Sequence, residues 1–194
     1  RAAPLIGMGI PQVPGTRVNA VYRRLLVMLS AFPPLVAAEA QTHVLIVGGL
    51  GGDKAFSARF NRLSHDLSSA LHHRVGIPTA DVVWVGEDSS QVDSSYAGRS
   101  SKENVEAQLA KLAARARPGS QMVLVLIGHG AGDGAESRLN IPGPDLAGRE
   151  YARLLNAFAG QRLAILDLTS ASGDMLAVLS APNRVVITAT KTAL

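Results

Sequence analysis

Residues 122–130 read MVLVLIGHG, an unbroken apolar run that ends in a Gly-His-Gly triplet. A short apolar run bounded by glycine is typical of a strand that is buried on both faces of a parallel sheet. In open sheets of this kind, ligands bind beyond the carboxyl ends of the strands. His129 follows the run directly, so this segment predicts a buried parallel strand and a first candidate for the functional site.

Similar runs recur between residues 42 and 190 and alternate with longer amphipathic stretches. This alternation predicts βαβ units, and therefore an α/β fold in which helices sandwich a parallel sheet. The five predicted strands are Thr42–Val47, Asp81–Val85, Met122–Ile127, Leu163–Leu168 and Val185–Thr190. Successive right-handed crossovers would place the third and fourth strands side by side. His129 and Ser170, which follow those two strands, are therefore expected to face each other across one crevice.

Local signals mark the helices between these strands. The loop 48–53 leads into an amphipathic stretch that ends near Arg74. Ser100 and Glu103 have the spacing of a capping box, which predicts a helix start at this point. Two shorter helices are predicted at 148–159 and 174–179.

The composition excludes several classes of function. The chain has 194 residues, of which 47% are hydrophobic, and this favours one α/β domain with a full core. The net charge is +4, but residues 41–194 alone carry a net charge of only +1, so no nucleic-acid partner is expected. There is no cysteine, which excludes disulfides and a thiolate metal site. No metal or cofactor is implied.

The first forty residues have the organisation of an exported leader. A basic pair, Arg23 and Arg24, precedes an apolar run over residues 25–38 and the small-x-small triplet 38–40. This order predicts a secretory signal peptide that is cleaved after Ala40, behind an upstream extension over residues 1–22. An uncleaved amphipathic anchor is the alternative. The expected product is an exported domain, periplasmic or extracellular, that spans residues 41–194 without an integral membrane span.

Several motifs follow one another in the order of a known family. They are VLIVGG at 44–49, Ile77-Pro78 ahead of Val82-Val83, Asn104, IGHG at 127–130, SASGDM at 170–175 and ITAT at 187–190. Together they resemble the legumain-type cysteine peptidases and, more distantly, the caspases and gingipains that share their fold. The resemblance covers roughly residues 42–190 and implies a caspase-like α/β/α architecture.

The resemblance also implies an activity and a site. The family consists of cysteine-type endopeptidases, so the implied partner is a peptide or protein substrate. His129 falls at the acid/base position and Ser170 at the position of the nucleophilic cysteine. The backbone N–H groups of Gly130 and Ser170 would form the oxyanion hole.

The chain departs from the family at two points. Leu168, Thr169 and Ser170 stand where legumains have Glu-Ala-Cys. A serine hydroxyl lacks the ready ionisation of a thiol, so the domain is expected to be catalytically impaired or silent. The sequence also stops soon after the fifth strand, whereas family members continue into segments that complete the substrate pocket. The resemblance therefore implies a domain that is truncated at its C-terminus.

Two alternatives and a structural interpretation stay open at this stage. An active serine hydrolase would use Ser170 and His129, with Asp133 as the carboxylate that orients the imidazole. Asp167 is a weaker candidate for that role, because strand alternation turns it away from Ser170. The structural interpretation is that Ser170 is a strand-end serine beside turn-forming and helix-capping neighbours, Thr169 and Ser172.

A nucleotide-binding module is the other alternative. Gly49 and Gly51 follow the first strand, and two acidic residues, Glu87 and Asp88, follow the second. The dinucleotide fingerprint requires a third glycine, and Lys54 occupies its position. The remaining histidines, His43, His65, His72 and His73, are predicted to lie on the surface, because none has metal-ligand spacing with a carboxylate.

Overall fold

The computed structural model describes residues 40–88, 93–132 and 136–192. The predicted signal peptide therefore lies outside the described residues. The strands are β1 (Thr42–Gly48), β2 (Val82–Gly86), β3 (Tyr96–Arg99), β4 (Gln121–Ile127), β5 (Gly130–Gly132), β6 (Ser137–Leu139), β7 (Leu146–Ala147), β8 (Arg162–Asp167) and β9 (Arg184–Thr188). The helices are α1 (Lys54–His73), α2 (Lys102–Arg115), α3 (Gly148–Leu154) and α4 (Met175–Leu179). In the described part of the chain, none of them is long and apolar enough to cross a membrane.

Six of the strands form a parallel sheet in the order β3-β2-β1-β4-β8-β9. The α/β fold class and all five predicted strands are confirmed. β4 pairs with β8 in parallel, as predicted. The other three strands, β5, β6 and β7, form a small antiparallel sheet that sequence patterns did not predict.

The two faces of the sheet build two separate cores. Val44 and Ile46 of β1 belong to the core that contains Phe60 of α1, whereas Leu45 and Val47 belong to the core under the other three helices. Alternate residues of a strand point to opposite faces, so the clusters lie on opposite sides of the sheet. The result is a three-layer α/β/α arrangement in which, among the described helices, α1 packs against the first face and the other three against the second.

The helix α1 leaves part of its face of the sheet uncovered. Val185 and Ile187 of the edge strand β9 remain 59% and 52% exposed, and Leu168, just after β8, remains 45% exposed. These side chains form an apolar surface on the part of the sheet that α1 does not cover. The carboxyl ends of β4 and β8 therefore open onto an apolar, accessible region.

The capping prediction for α2 is wrong by one residue. Ser101, not Ser100, is the N-cap, and its hydroxyl accepts a hydrogen bond from Asn104 N. The Ser100 side chain is buried and donates instead to the carbonyl of Gly48, at 2.6 Å. A tertiary contact thus decides which of two adjacent serines begins the helix.

The prediction that all spare histidines lie on the surface is also wrong, because His43 on β1 is fully buried. Its Nδ1 lies 3.0 Å from the buried carboxylate of Asp81. The Asp81 carboxylate accepts hydrogen bonds from Arg115 (2.7 Å) and Gln41 (2.9 Å), whereas neither ring nitrogen of His43 has a hydrogen-bond partner among the described residues. Buried charges require partners of this kind. This cluster joins the start of β1, the approach to β2 and the end of α2, at the opposite end of the sheet from His129.

Candidate functional site

The sheet topology brings the two predicted site residues, His129 and Ser170, to the same end of the sheet, beyond the carboxyl ends of its strands. β4 and β8 are parallel neighbours whose last paired residues are Leu126 and Asp167. The chain leaves β4 through Gly128 to His129 and leaves β8 through Leu168 to Ser170. Both side chains therefore lie beyond the carboxyl ends of adjacent strands, as the sequence predicted.

A close backbone contact joins the two exit loops at Gly130. A Cβ atom on Gly130 would lie only 2.3 Å from the carbonyl oxygen of Ser170 and 2.8 Å from the hydroxyl oxygen of Thr169. Real Cβ atoms do not approach other heavy atoms this closely, so only glycine fits at this position. The contact fixes the segment that follows His129 directly against Ser170.

The imidazole of His129 packs on aromatic rings of α1. Its ring centre lies 4.7 Å from that of Phe56 and 5.1 Å from that of Phe60, with edge-to-face angles of 71° and 74°. Geometry of this kind is favourable for aromatic pairs and restricts the ring. The side chain is half-buried. Among the residues that the structure describes, aromatic packing holds the imidazole.

His129 and Ser170 line one groove, with a cavity volume of about 470 Å³. We call it the α1–β8 groove. Residues 56–67 of α1 form one wall, and Leu168, Thr169 and Ser170 form the other. The exposed Ser170 is accessible from this groove.

The structure describes no relay between the two side chains. Neither the imidazole of His129 nor the hydroxyl of Ser170 forms a hydrogen bond with a residue in the ranges 40–88, 93–132 and 136–192. Asp133, the predicted orienting carboxylate, lies outside these ranges. Within them, no carboxylate contacts the imidazole. A serine nucleophile needs a base that a third group orients, and the described residues do not supply one.

Asp167 serves the turn rather than the histidine. The residue is fully buried, and its Oδ1 accepts hydrogen bonds from the N–H of Thr169 (3.1 Å) and from its hydroxyl (2.6 Å). Its Oδ2 and the hydroxyl of Tyr151 are buried without a hydrogen-bond partner among the described residues. Burial raises the pKa of Asp167, although the bonds from Thr169 oppose this shift. Asp167 thus stabilises the turn that presents Ser170.

The raised pKa of Asp167 makes its effect on stability depend on pH. A carboxyl group whose pKa is higher in the folded than in the unfolded protein lowers the free energy of unfolding at pH values above its folded-state pKa. This penalty disappears when the pH falls below the pKa of the unfolded state, for which 3.8 is the ordinary aspartate value. We expect Asp167→Asn to increase the free energy of unfolding at pH 7, and we expect this gain to shrink as the pH falls toward 4. Urea unfolding at both pH values measures the difference. The control is Asp66→Asn, because Asp66 is 65% exposed. Lower stability of Asp167→Asn at pH 7 would contradict the prediction.

Ser172 anchors the same turn to the last strand of the sheet. Its buried hydroxyl accepts hydrogen bonds from the N–H groups of Ala189 (3.1 Å) and Thr190 (3.0 Å). The hydroxyl of Thr190 in turn accepts from Ser172 N and donates to the carbonyl of Thr169. The predicted helix-capping role of Ser172 is therefore replaced by a link to the segment after β9. Thr190 was not identified as a site residue, because it lies about twenty positions away in the sequence.

The resemblance assigns the oxyanion hole to the backbone N–H groups of Ser170 and Gly130. The N–H of Ser170 donates to no acceptor in the described ranges. In the β5–β6 hairpin, Asn140 N donates to the carbonyl of His129. Since hydrogen-bonded pairs alternate along an antiparallel ladder, the N–H of the next residue, Gly130, points away from the partner strand. The positions that the resemblance assigns to an oxyanion hole therefore have donors to offer.

A second cavity, of about 930 Å³, lies on the other side of α1 at the ends of β1 and β2. Glu87 and Asp88 of the nucleotide-binding alternative line it, but its two glycines, Gly49 and Gly51, do not. Glu87 accepts a hydrogen bond from Gly51 N (3.0 Å), and Asp53 accepts from the N–H groups of Ala55 and Phe56 at the helix start. These are the donors that a phosphate group would require. Carboxylates occupy them, which disfavours phosphate binding.

The glycine at position 51 has a packing explanation. A Cβ there would lie 2.1 Å from the backbone nitrogen of Ser57. Close packing therefore accounts for Gly51 without a bound nucleotide.

The described residues contain no group of three or more His, Asp or Glu side chains that could hold a metal ion. No protein-family model matches the chain, and the comparison with curated proteins gives no match.

Proposed function

We propose that this chain is a legumain-type, caspase-like peptidase-family domain that binds peptides in the α1–β8 groove and has lost efficient turnover. The observation that carries the proposal is the contact between Gly130 and the carbonyl of Ser170. This contact brings the segment that carries His129 against Ser170, and the imidazole and the exposed hydroxyl line one groove. An acid/base group beside a hydroxyl is expected around a scissile peptide bond, and the resemblance adds the backbone N–H groups of Gly130 and Ser170 as the oxyanion hole.

Impaired turnover follows from the chemistry of Ser170. A hydroxyl attacks a carbonyl efficiently only when an oriented base removes its proton. Within the described residues, the imidazole has aromatic neighbours but no carboxylate partner. General acid–base catalysis contributes about 10²- to 10⁴-fold in rate, so its loss together with the loss of the thiol is expected to suppress the reaction.

Retention of peptides from an immobilised random library tests the binding function. We expect the wild-type protein to retain a reproducible subset of sequences. Ser170→Trp should abolish retention, because the exposed position accepts a large side chain that fills the opening. Ala110→Trp is the control, because Ala110 is exposed on α2, away from the groove. Equal retention by both tryptophan variants would argue against the groove as the binding site.

A cleavage assay with the same library tests the loss of turnover. We expect no measurable cleavage by wild type, Ser170→Ala or His129→Ala. Ser170→Cys restores the family's nucleophile, so we expect any cleavage to be confined to this variant. Cleavage by wild type that is absent from both alanine variants would establish Ser170 as a nucleophile and overturn the proposal of a silent domain.

A further inference from the structure

The α1 wall of the α1–β8 groove is an apolar stripe. Phe56, Phe60, Leu63 and Leu67 recur at intervals of three or four residues, so they lie along one side of the helix. Phe60 belongs to the core, but Phe56 and Leu63 remain 39% and 46% exposed. The stripe thus extends beyond the surface that the sheet requires for packing.

The opposite wall provides a matching apolar surface. Leu168 is 45% exposed and belongs to the lining of the groove. Large apolar side chains on both walls create a slot in which an apolar ligand group would be shielded from water on two sides. The volume of about 470 Å³ is within the usual range of ligand sites, about 300–1,000 Å³.

One positive charge lies in this apolar lining. Arg59 is exposed on α1 between Phe56 and Phe60, and it forms no ion pair with a carboxylate in the ranges 40–88, 93–132 and 136–192. Its guanidinium can bind a carboxylate through paired hydrogen bonds. The lining contains no acidic residue that would compete for it. The groove is therefore complementary to an apolar group that lies next to a negative charge.

The slot is continuous with the proposed peptide-binding site. The ring of His129 packs edge-on against Phe56 and Phe60, so the apolar wall begins at the imidazole itself. A peptide backbone that passes between His129 and Ser170 would place one of its side chains directly against this wall.

We infer that the α1–β8 groove selects peptides in which a large apolar residue, such as phenylalanine or leucine, adjoins an aspartate or glutamate. The apolar side chain occupies the slot, and the carboxylate contacts Arg59. This inference rests on the proposed peptide-binding function and adds the class of peptide to it.

Fluorescence anisotropy with short labelled Gly/Ser peptides tests the selection. The peptides carry a central Asp-Phe, Phe-Asp, Asp-Ala or Lys-Phe pair. Burial of one large side chain predicts that the better of the two acidic phenylalanine peptides binds at least about tenfold more tightly than the Asp-Ala peptide. An exposed ion pair predicts a preference of up to about fivefold over the Lys-Phe peptide.

Two variants with matched controls assign these preferences to residues. Leu63→Gln should reduce the discrimination between phenylalanine and alanine, whereas Leu176→Gln, at an equally exposed leucine on α4, should not. Arg59→Glu should reverse the preference, so that the Lys-Phe peptide binds more tightly than the acidic ones. Arg62→Glu, on the same helix but in the lining of the other cavity, should leave the order unchanged.

The outcomes separate this inference from the function on which it rests. If peptides bind and Ser170→Trp blocks them, but phenylalanine and alanine peptides bind equally, the inference fails and the peptide-binding function stands. If wild type retains no peptide, the function itself fails. If light scattering shows a dimer that Leu63→Gln dissociates, a second copy occupies the groove and the inference is overturned.

Discussion

Asp81→Ala is expected to lower the free energy of unfolding by about 1–3 kcal/mol, the usual cost of leaving a buried polar group without its partner. Asp81 is only 2% exposed, and its carboxylate accepts hydrogen bonds from Arg115 and Gln41 beside the buried His43. The alanine variant removes the acceptor of Arg115 and Gln41 and leaves the buried imidazole of His43 without its neighbouring carboxylate. Urea denaturation at neutral pH, followed by far-ultraviolet circular dichroism, measures the loss.

The control for Asp81→Ala is an aspartate that also contacts a histidine but lies on the surface. Asp66 is 65% exposed and lies 3.2 Å from His65. Exposed pairs of this kind contribute about 0–1 kcal/mol, so Asp66→Ala should have little effect. A loss below about 1 kcal/mol for Asp81→Ala would show that the buried cluster does not stabilise the fold.

Gly130→Ala is expected to destabilise the protein and to eliminate peptide binding. The added methyl group would lie 2.3 Å from Ser170 O, against backbone that the bonds of Thr169 and Ser172 hold in place. Overpacking typically costs about 1–3 kcal/mol. Because the clash lies between the two exit loops, relief of it must separate His129 from Ser170. Thermal unfolding and retention of library peptides report the two effects independently.

Gly160→Ala is the matched substitution for Gly130→Ala. Nothing lies within 4 Å of the position where its Cβ would be, and the glycine does not have a positive φ. The free energy of unfolding of Gly160→Ala should stay within about 0.5 kcal/mol of wild type, and the variant should bind peptides as wild type does. If the two alanine variants unfold at the same temperature, the close contact at Gly130 is not a constraint on the site.

The strands of the sheet could be predicted because burial on both faces leaves a continuous apolar run. β3 has no such run, since Tyr96–Arg99 contains a glycine and an arginine. Contacts from elsewhere in the chain position it: the side-chain amide of Asn104 donates to the carbonyls of Ala97 and Arg99. A strand that depends on hydrogen bonds from a helix has no periodicity of its own to detect.

The site was predictable to the extent that topology determines it. The alternation of strands and helices, with right-handed crossovers, predicts that His129 and Ser170 follow neighbouring strands. Side-chain directions within the loops could not be predicted in the same way. Whether Asp167 would face the histidine or its own turn depends on a hydrogen bond from Thr169, and sequence spacing does not encode that choice.

The hydrogen bonds of Ser172 set a lower limit on the length of chain that can hold the Ser170 loop in place. Ala189 and Thr190 donate to its hydroxyl, and the neighbouring Gly173 N donates to the carbonyl of Lys191. The segment after β9 adds no residue to the parallel sheet, yet it fastens the loop that carries Ser170. A terminus trimmed at the last strand would keep the secondary structure and release that loop. Domain boundaries drawn from strands alone would therefore misjudge which residues keep the groove in shape.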